Sequence, residues 1–575
     1  MKKYRIRESA PAEIHEELRE YPLLIRNLLH FRGISTKEDT KTFLEPSYDL
    51  DLHDPFLLFG MERAVSRILG AMQKEEFICI YSDYDHDGIP GGVLLKDFFE
   101  AIQYKNFRNY IPHRHQEGYG LNAQAVRTLA EEGVKLIITV DCGITDTEAV
   151  RVGNEFGVDT IITDHHLPPD PLPEAFAIVN PKLSPDYPFD GLCGAGVAWK
   201  LVSALMQKGD FSLPDGYEKW LLDLTGLSTI ADMVPLTGEN RVIAYFGLKV
   251  LRKTRRPGLR ALYRVLRLDP STLTEDDVGF SLAPRINAAS RMDTPQAAFD
   301  TLAEKDPLKA YSFAENLHKL NDSRKGHTAA MVKEAKQIIK GRLKEKEILS
   351  PLIVLGSPSW RPGLLGLAAN SVVEAYSRPA FLWGREGGEG LKGSCRSDGV
   401  VNVVELMRAT RPGVFKEFGG HKFSGGFSVE EENIHHLDEE LHKAYETFTF
   451  EDAVEEKWLD GMLTLEETDD ALLSSLERLA PFGIDNPKPI FLFSGIVPEK
   501  VKLFGARKDH LELQFRKKSG EAIRAISFFA KGKNFSCGSV ENIESGKSYS
   551  LVGNIERSNF GGRNEIRLRV EDILC

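Results

Sequence analysis

Three short apolar runs, each stopping at an acid, organise the hydrophobic pattern of this chain. Phe77–Ser82 reads F-I-C-I-Y-S and runs into Asp83, Asp85 and Asp87. Val134–Val140 ends in Asp141-Cys142-Gly143, and residues 158–163 end in Asp164-His165-His166. Runs this apolar, with little polar alternation, fit strands buried on both faces, as in a parallel sheet. Between them the apolar spacing turns helical, over residues 91–102, 123–132 and 146–156, and again over 196–207. Residues 107–111 and 177–180 add two weaker strand candidates. Strands alternating with helices predict βαβ units and an α/β fold on a parallel sheet. Ligands of such sheets bind beyond the carboxyl ends of the strands, where all three acidic motifs fall.

The flanking regions follow other patterns. Residues 1–60 predict short helices, over 11–21 and 23–31. A further helix is expected over 62–74, with Ala64, Ile68, Leu69 and Met72 on one face. Residues 218–231 are apolar and helical and run into A-D-M-V-P-L, which contains Asp232. Residues 239–330 look helical and include L-A-P-R-I-N-A-A-S-R-M-D. A long charged helical pattern over 306–342 reads either as a connector or as a solvated helix. A second α/β unit begins near Pro351, with strands P-L-I-V-L-G-S and R-P-A-F-L-W around a helix at 363–376. The loop E-G-G-E-G, then L-K-G-S-C-R-S and F-G-G-H-K-F-S-G-G-F, follow. From about residue 455, short segments such as H-L-E-L-Q-F and E-I-R-L-R-V, separated by turn residues, predict a small β-barrel. The expected division is therefore 1–60, 61–305, 306–345, 346–450 and 455–575.

Composition narrows the function classes. A length of 575 residues exceeds one ordinary domain. A formal charge of −12 excludes coating of nucleic acid by the whole surface but leaves room for a local basic channel. The cysteines are scattered without a C-x-x-C pair, against both a disulfide framework and a thiolate zinc site. The start M-K-K-Y-R-I-R-E-S-A lacks the apolar core of a signal peptide, and no run of about 18 apolar residues occurs. A cytoplasmic protein without membrane association is expected.

The acids carry the chemistry. Carboxylates this dense at a strand end are costly unless a cation neutralises them. The candidate metal ligands are Asp83, Asp85, Asp87, Asp141, His165 and Asp232. Carboxylate with imidazole suits two divalent ions, Mn²⁺ or Mg²⁺. Two such ions about 3.5–4 Å apart clamp the oxygens of an in-line phosphoryl displacement. Asp141, in the middle of the set, is the expected bridge, with Asp83 and Asp85 serving one ion and Asp87 the other. A single Asp at a strand end is more often a turn residue or helix cap. Three at alternate positions, followed by two more acid-tipped strands, are not explained that way. Arg114, Arg285, Arg291 and Arg396 stand in Gly-, Asn- or Ser-rich loops, where an arginine offers a planar fork for phosphate oxygens but is more often a solvated charge. Tyr119, between two glycines, reads equally as a base-stacking aromatic and as a packed turn residue.

D-Y-D-H-D-G, V-D-C-G-I-T, T-D-H-H and I-A-D-M-V-P-L-T-G-E-N-R resemble the four metal-site motifs of the DHH phosphoesterase superfamily. I-P-H-R-H-Q-E-G-Y-G-L, L-A-P-R-I-N-A-A-S-R-M, F-G-G-H and P-F-G-I-D-N-P-K-P-I-F resemble further segments of its RecJ branch, the bacterial single-strand-specific 5′→3′ exonucleases. The likeness covers nearly the whole chain. It implies a DHH catalytic domain, a DHHA1 domain across a cleft joined by a long helix, and a C-terminal OB-fold. It carries the six metal positions onto the candidates above, places His166 by the scissile phosphate and makes Asp164 its orienting partner. The implied nucleophile is water rather than a side chain. Arg114, Tyr119, Arg285, Asn287, Arg291, Ser394, Arg396, Gly420 and His421 match substrate-holding segments. Lys502, Arg507, Lys508, Arg516, Arg557, Phe560, Arg563, Arg567 and Arg569 are available to line an OB groove, or to be its solvated face. Single-stranded DNA is the implied partner, with a helicase and a single-strand-binding protein beside it.

The chain departs from the pattern at several positions. His86 stands within the D-x-D-G motif, Arg361 replaces a histidine, and Asp485 replaces a glycine. G-G-H-K-F-S-G-G and N-A-A-S-R also differ from the usual forms. The metal set stays whole. Two other readings remain: a DHH phosphodiesterase of short oligonucleotides or cyclic dinucleotides, and a non-catalytic single-strand-binding replication scaffold.

Overall fold

The computed structural model describes residues 3–346, 349–385, 390–448, 456–505, 507–558 and 565–575. Most of the E-G-G-E-G loop, with Phe560 and Arg563, lies outside them. By contacts the chain forms two compact units. One holds residues 32–322 with 478–488; the other holds 1–31, 323–477 and 489–575.

The first unit is built on a five-stranded parallel sheet. Its order is Phe107–Tyr110, Phe77–Ser82, Val134–Val140, Asp159–Thr163, Ala177–Val179. The chain starts inside the sheet, steps one way, then returns and continues the other way. The order therefore reverses between Phe77–Ser82 and Val134–Val140, and a crevice opens beyond their carboxyl ends at such a point. Alternate side chains supply two cores. Ile78, Ile80, Leu136 and Ile138 join one; Cys79, Tyr81 and Ile137 join the other. Both faces are covered, so the strands read as nearly unbroken apolar runs.

Register aligns the strand ends. Ser82 pairs with Val140, Val140 with Thr163, and Thr163 with Val179. The next amide of each strand still follows the ladder: Asp83 N donates to Val140 O (3.1 Å), Asp141 N to Thr163 O (3.0 Å) and Asp164 N to Val179 O (3.2 Å). Three acids thus stand in one row at adjacent strand tips.

The rest of this unit is helical. Leu222–Ala231 packs against Gly238–Leu251 and ends at Asp232. The apolar stretch expected as one helix over 218–231 is two, Tyr217–Trp220 and Leu222–Ala231. Arg285 and Arg291 are not in a loop. They lie on the helix Ala283–Met292, which continues directly from a wider helical turn over Val278–Leu282 and carries Pro284 near its start.

The second unit contains a five-stranded mixed sheet and a seven-stranded sheet. The first orders Glu417–His421, Ser424–Val429, Leu391–Arg396, Ala380–Gly384 and Ile353–Ser357, with only the last pair parallel. The second runs Gly461–Met462, Phe491–Ile496, Tyr549–Ser558, Glu565–Leu574, Ala522–Ser527, His510–Arg516, Lys500–Phe504, with unpaired ends as in a partly open OB barrel. Lys3–Ile6 is a strand rather than part of a helical segment; it pairs in parallel with Glu456–Leu459. Helix Pro307–Lys346 spans the connector region. No described helix is long and apolar enough to cross a membrane.

Candidate metal centre

Five carboxylates and two imidazoles converge at the sheet's reversal point. Ligand atoms of Asp83, Asp85 and Asp141 lie within 4.8 Å of one another; so do those of Asp87, His165 and Asp232, and those of Asp141, His165 and His166. Asp141 belongs to two groups and so does His165. His165 Nε2 stands 3.1 Å from Asp141 Oδ1, 3.7 Å from Asp232 Oδ2 and 3.8 Å from Asp87 Oδ2. Asp141 itself has φ 61°, a left-handed turn unusual for a side-chain-bearing residue, which swings its carboxylate inward from the strand tip.

The electrostatics leave the acids unsatisfied. Burial, then the charges of neighbouring aspartates, pushes the Asp83, Asp141 and Asp232 carboxyls well above the usual range. Asp83 Oδ1 and Asp141 Oδ1 are buried without a hydrogen-bond donor among the described residues. Asp141 Oδ1 approaches His165 Nε2 without hydrogen-bond alignment, as two ligand atoms facing a common centre would. Oxygen and imidazole donors with orphaned lone pairs fit divalent ions of the Mn²⁺ or Mg²⁺ kind. Asp85 differs: burial raises its carboxyl, but His86 and the Asp87 and Gly88 amides outweigh this and hold it below the usual range. Asp87 has a double role. Its Oδ2 accepts from Gly194 N (2.6 Å) and its Oδ1 from Ala195 N (2.8 Å), at the start of helix Gly194–Lys208. Lone pairs remain on both oxygens.

Raised carboxyl pKa values give a pH prediction. Above the ordinary carboxylate range, the metal-free native site holds more protons than the unfolded chain. Metal-free stability therefore falls as pH rises through that window, and metal uptake releases protons. Mn²⁺ affinity is expected to rise with pH, and the metal-induced increase in Tm to grow with it. Titration calorimetry in two buffers of different ionisation enthalpy reads the released protons directly; no proton release would contradict the charge state assigned here.

Asp164 acts on the histidines. Its Oδ1 accepts from the His165 and His166 amides and lies 2.8 Å from His166 Nδ1, while its Oδ2 accepts from Ile144 N. Burial would lower the His166 pKa, but Asp164 outweighs it and raises it. His165, more deeply enclosed, is lowered by burial. Tyr119 is anchored at its hydroxyl and exposed over much of its side chain. Its hydroxyl donates to Asp141 O (3.0 Å) and lies 3.1 Å from His166 Nδ1, yet its ring is 46% exposed.

The other expected site residues divide between the units. Arg114 lies 4.7 Å from the Tyr84 ring, beside Asp83 and Asp85. Arg285 is buried, facing His318 Nδ1 at 3.3 Å. Arg291 is half-buried, with Tyr84 in its field. Asn287 holds His86: its Oδ1 accepts from His86 N (2.9 Å), and its amide lies 3.0 Å from His86 Nδ1. Ser394, Arg396, Gly420 and His421 lie on the mixed sheet of the second unit, where His421 pairs with Ser424 and Ser424 with Arg396. Arg396 lies at a strand end, not in a loop, because Cys395 and its neighbours keep the ladder on both sides. On the OB sheet, Arg569 lies 4.2 Å and Arg567 5.8 Å from the Phe528 ring. Three contributors escape a reading of the sequence. Lys182 donates to His165 O, and nothing in N-P-K signals this. Gly194 and Ala195 supply amides to Asp87, a role hidden by the expectation that the helix begins at residue 196.

Three family models match: the DHH family N-terminal domain over 77–229, the DHHA1 domain over 349–447 and the RecJ OB domain over 459–572. The single-stranded-DNA-specific exonuclease RecJ of Bacillus subtilis is 36% identical, over 97% of this chain and 68% of its own. That of Haemophilus influenzae is 31% identical, over 100% and 99%. The chain belongs to the RecJ family. RecJ of Thermus thermophilus, solved in complex with Mn²⁺, superposes with a TM-score of 0.82 at 28% identity, over 100% of this chain and 79% of that one. The same RecJ with Mg²⁺ gives 0.76 at 26% identity, covering 100% and 78%. The RecJ match thus runs through the catalytic unit, the mixed sheet and the OB sheet together.

Proposed function

We propose that this protein is a metal-dependent exonuclease that degrades single-stranded DNA from the 5′ end to 5′-mononucleotides in DNA repair and recombination. The supporting observation is the row of Asp83, Asp141 and Asp164 at the sheet's reversal point, joined by His165 and Asp232, in a chain that is RecJ-like from end to end. Asp83, Asp85, Asp87, Asp141, His165 and Asp232 would hold two divalent ions. When bound, the ions supply Lewis acidity and charge neutralisation for phosphodiester hydrolysis. The chain's own residues do the rest. Asp164 holds His166 with Nδ1 turned to it, which leaves Nε2 to face the substrate phosphate. Tyr119 buttresses the same imidazole and offers its exposed ring to a terminal base. Arg114, Arg285, Asn287 and Arg291 form the phosphate-holding side in the catalytic unit. Ser394, Arg396, Gly420 and His421 do so in the DHHA1 domain.

The domains proposed are an N-terminal segment (1–60), the DHH domain (61–305), a connecting helix (306–345), the DHHA1 domain (346–450) and the OB-fold (455–575). A single-strand-specific enzyme needs its substrate unwound, so a helicase and a single-strand-binding protein are the expected partners, in the cytoplasm.

Long single strands labelled at the 5′ end, matched duplexes and dinucleotides, each with Mn²⁺, Mg²⁺ or chelator, test the reading. Metal-dependent release of labelled mononucleotide from the single strand alone is expected. Cleavage of dinucleotides only would favour the short-substrate phosphodiesterase. Binding without cleavage would favour the scaffold, and equal digestion of blunt duplex would remove the strand specificity.

A further inference from the structure

Asp232 differs from the other acids of the centre in how it is held. It follows helix Leu222–Ala231, with its amide donating to Ser228 O (2.8 Å), and stands at no strand tip. Met233 is left-handed (φ 59°) and 70% exposed. The sheet register that fixes Asp83, Asp141 and Asp164 does not reach this turn. Asp232 is held on the helix side by Ser228 O, and on the other side by whatever holds the far end of the turn, at Pro235 and Leu236.

That end is held from two sides. Asn240 Nδ2 donates to Pro235 O (3.0 Å) and to Gly191 O. On the other side, Leu236 N donates to Ile484 O (2.9 Å). Gly483 packs so closely that a Cβ there would stand 2.7 Å from Leu236 Cδ1. Residues 478–488 are far from Asp232 in sequence, yet they cluster with the catalytic unit while both of their flanks cluster with the other. They are fastened tightly. Arg241, 2% exposed, donates from Nη1 to Leu479 O (3.0 Å), from Nη2 to Ala480 O (3.1 Å) and from Nε to Phe43 O (2.6 Å). Asn486, fully buried, donates to Leu479 O and Pro481 O and accepts from Arg32 Nε (2.7 Å). Lys488 pairs with Asp276. A buried guanidinium is costly unless its donors are used, and here they are used on this segment and on Phe43. Arg241 lies on helix Gly238–Leu251, which begins directly after the Asp232 turn.

The geometry points to residues 478–488 being a strut that sets the Asp232 carboxylate, and so the affinity of the metal position formed by Asp87, His165 and Asp232. Arg241, Asn486 and Arg32 are positioning residues; the hydrogen bonds given above go to the segment, to Phe43 and to one another, and to no candidate metal ligand. This rests on the reading of Asp232 as a ligand. Loosening the strut weakens one of two metal positions and leaves the Asp83–Asp85–Asp141 position alone.

The full-length protein with Asn486→Ala, Arg241→Lys or Arg32→Gln tests this, with Asp232→Asn beside them. Mn²⁺ binding followed by calorimetry and electron paramagnetic resonance is the primary readout, with the Mn²⁺ dependence of cleavage second. Expected is a weakening of one of two sites by about 10-fold, equivalent to about 1.4 kcal/mol. The other site is unchanged, and turnover at saturating Mn²⁺ recovers to within a few-fold of wild type. Arg32→Gln leaves the buried Arg241 and Asn486 in place, so the outcome does not depend on how the deeper variants fold. A lower Tm with both Mn²⁺ affinities unchanged would reduce the segment to a plain staple and overturn the proposal. Should Asp232→Asn itself leave both sites at wild-type affinity, the ligand reading fails instead, and the two failures are told apart.

Discussion

Asp141→Ala is expected to abolish cleavage, by at least about 1,000-fold in turnover, equivalent to about 4 kcal/mol of transition-state stabilisation. Asp141 is the only carboxylate among the described residues that belongs to two of the three ligand groups. Its loss therefore disturbs both metal positions at once, whereas loss of Asp232 disturbs one. The alanine also vacates a buried, desolvated acid, so the fold is not expected to suffer; removing mutual repulsion from the metal-free site should if anything raise its Tm. Single-strand binding in the presence of chelator should persist, because the Asp141 side chain is not among the candidate strand-holding groups and Tyr119 donates to its backbone oxygen, which alanine keeps. Single-turnover cleavage, Mn²⁺ stoichiometry and strand binding measured on one preparation check all three points. Near-normal turnover would remove Asp141 from the bridging role.

Gly194→Ala should also be damaging although it replaces none of the candidate ligands. A Cβ on Gly194 would stand 2.4 Å from Asp141 Cβ and 2.6 Å from Asp141 Oδ1. The first of these atoms cannot swing away, because Asp141 is fixed at its strand tip by the hydrogen bond its backbone N–H donates to Thr163 O. Moving the glycine instead stretches its amide from Asp87 Oδ2. The first response shifts Asp141 and the second Asp87, so either one displaces a candidate ligand. Overpacking costs about 1–3 kcal/mol, and a displacement of about 1 Å at a reacting centre costs about 100-fold. A loss of about 100-fold in turnover, with weaker Mn²⁺ binding and intact strand binding, is expected. Wild-type kinetics would mean that the helix start yields more easily than its contacts imply.

What could be read ahead of the structure followed from local physics. Phe77–Ser82 and Val134–Val140 were legible because a strand covered on both faces must be apolar throughout. The three acids after Phe77–Ser82 were legible because nothing but a cation explains their density. The pieces that stayed hidden are those whose residues satisfy their neighbours at a distance. Lys3–Ile6 is polar and largely exposed, and its partner strand begins at Glu456. Arg285 and Arg291 lie on a helix with one Pro, one Asn and one Ser among its ten residues, and these residues, which favour loops and turns, gave the arginines loop-like surroundings inside a stretch that otherwise reads as helical. His86 reads as an oddity in its motif; only the fold shows that it meets Asn287. The 478–488 segment reads only as part of the β-rich C-terminal region, and its docking on the Asp232 turn leaves no periodic trace.

The ladder that continues past Ser82, Val140 and Thr163 makes the sheet a ruler. Neighbouring strands lie about 4.8 Å apart, and each residue advances a strand by about 3.3 Å while turning the next side chain to the opposite face. The spacing of the acids is thus set in whole steps. Substitutions along these strands can be absorbed gradually, but inserting or deleting one residue in any of them would carry its acid past its neighbours and point it the wrong way. Among descendants of this chain, side chains in the three strands are free to drift while their lengths are not, and length variation should collect in the connecting loops.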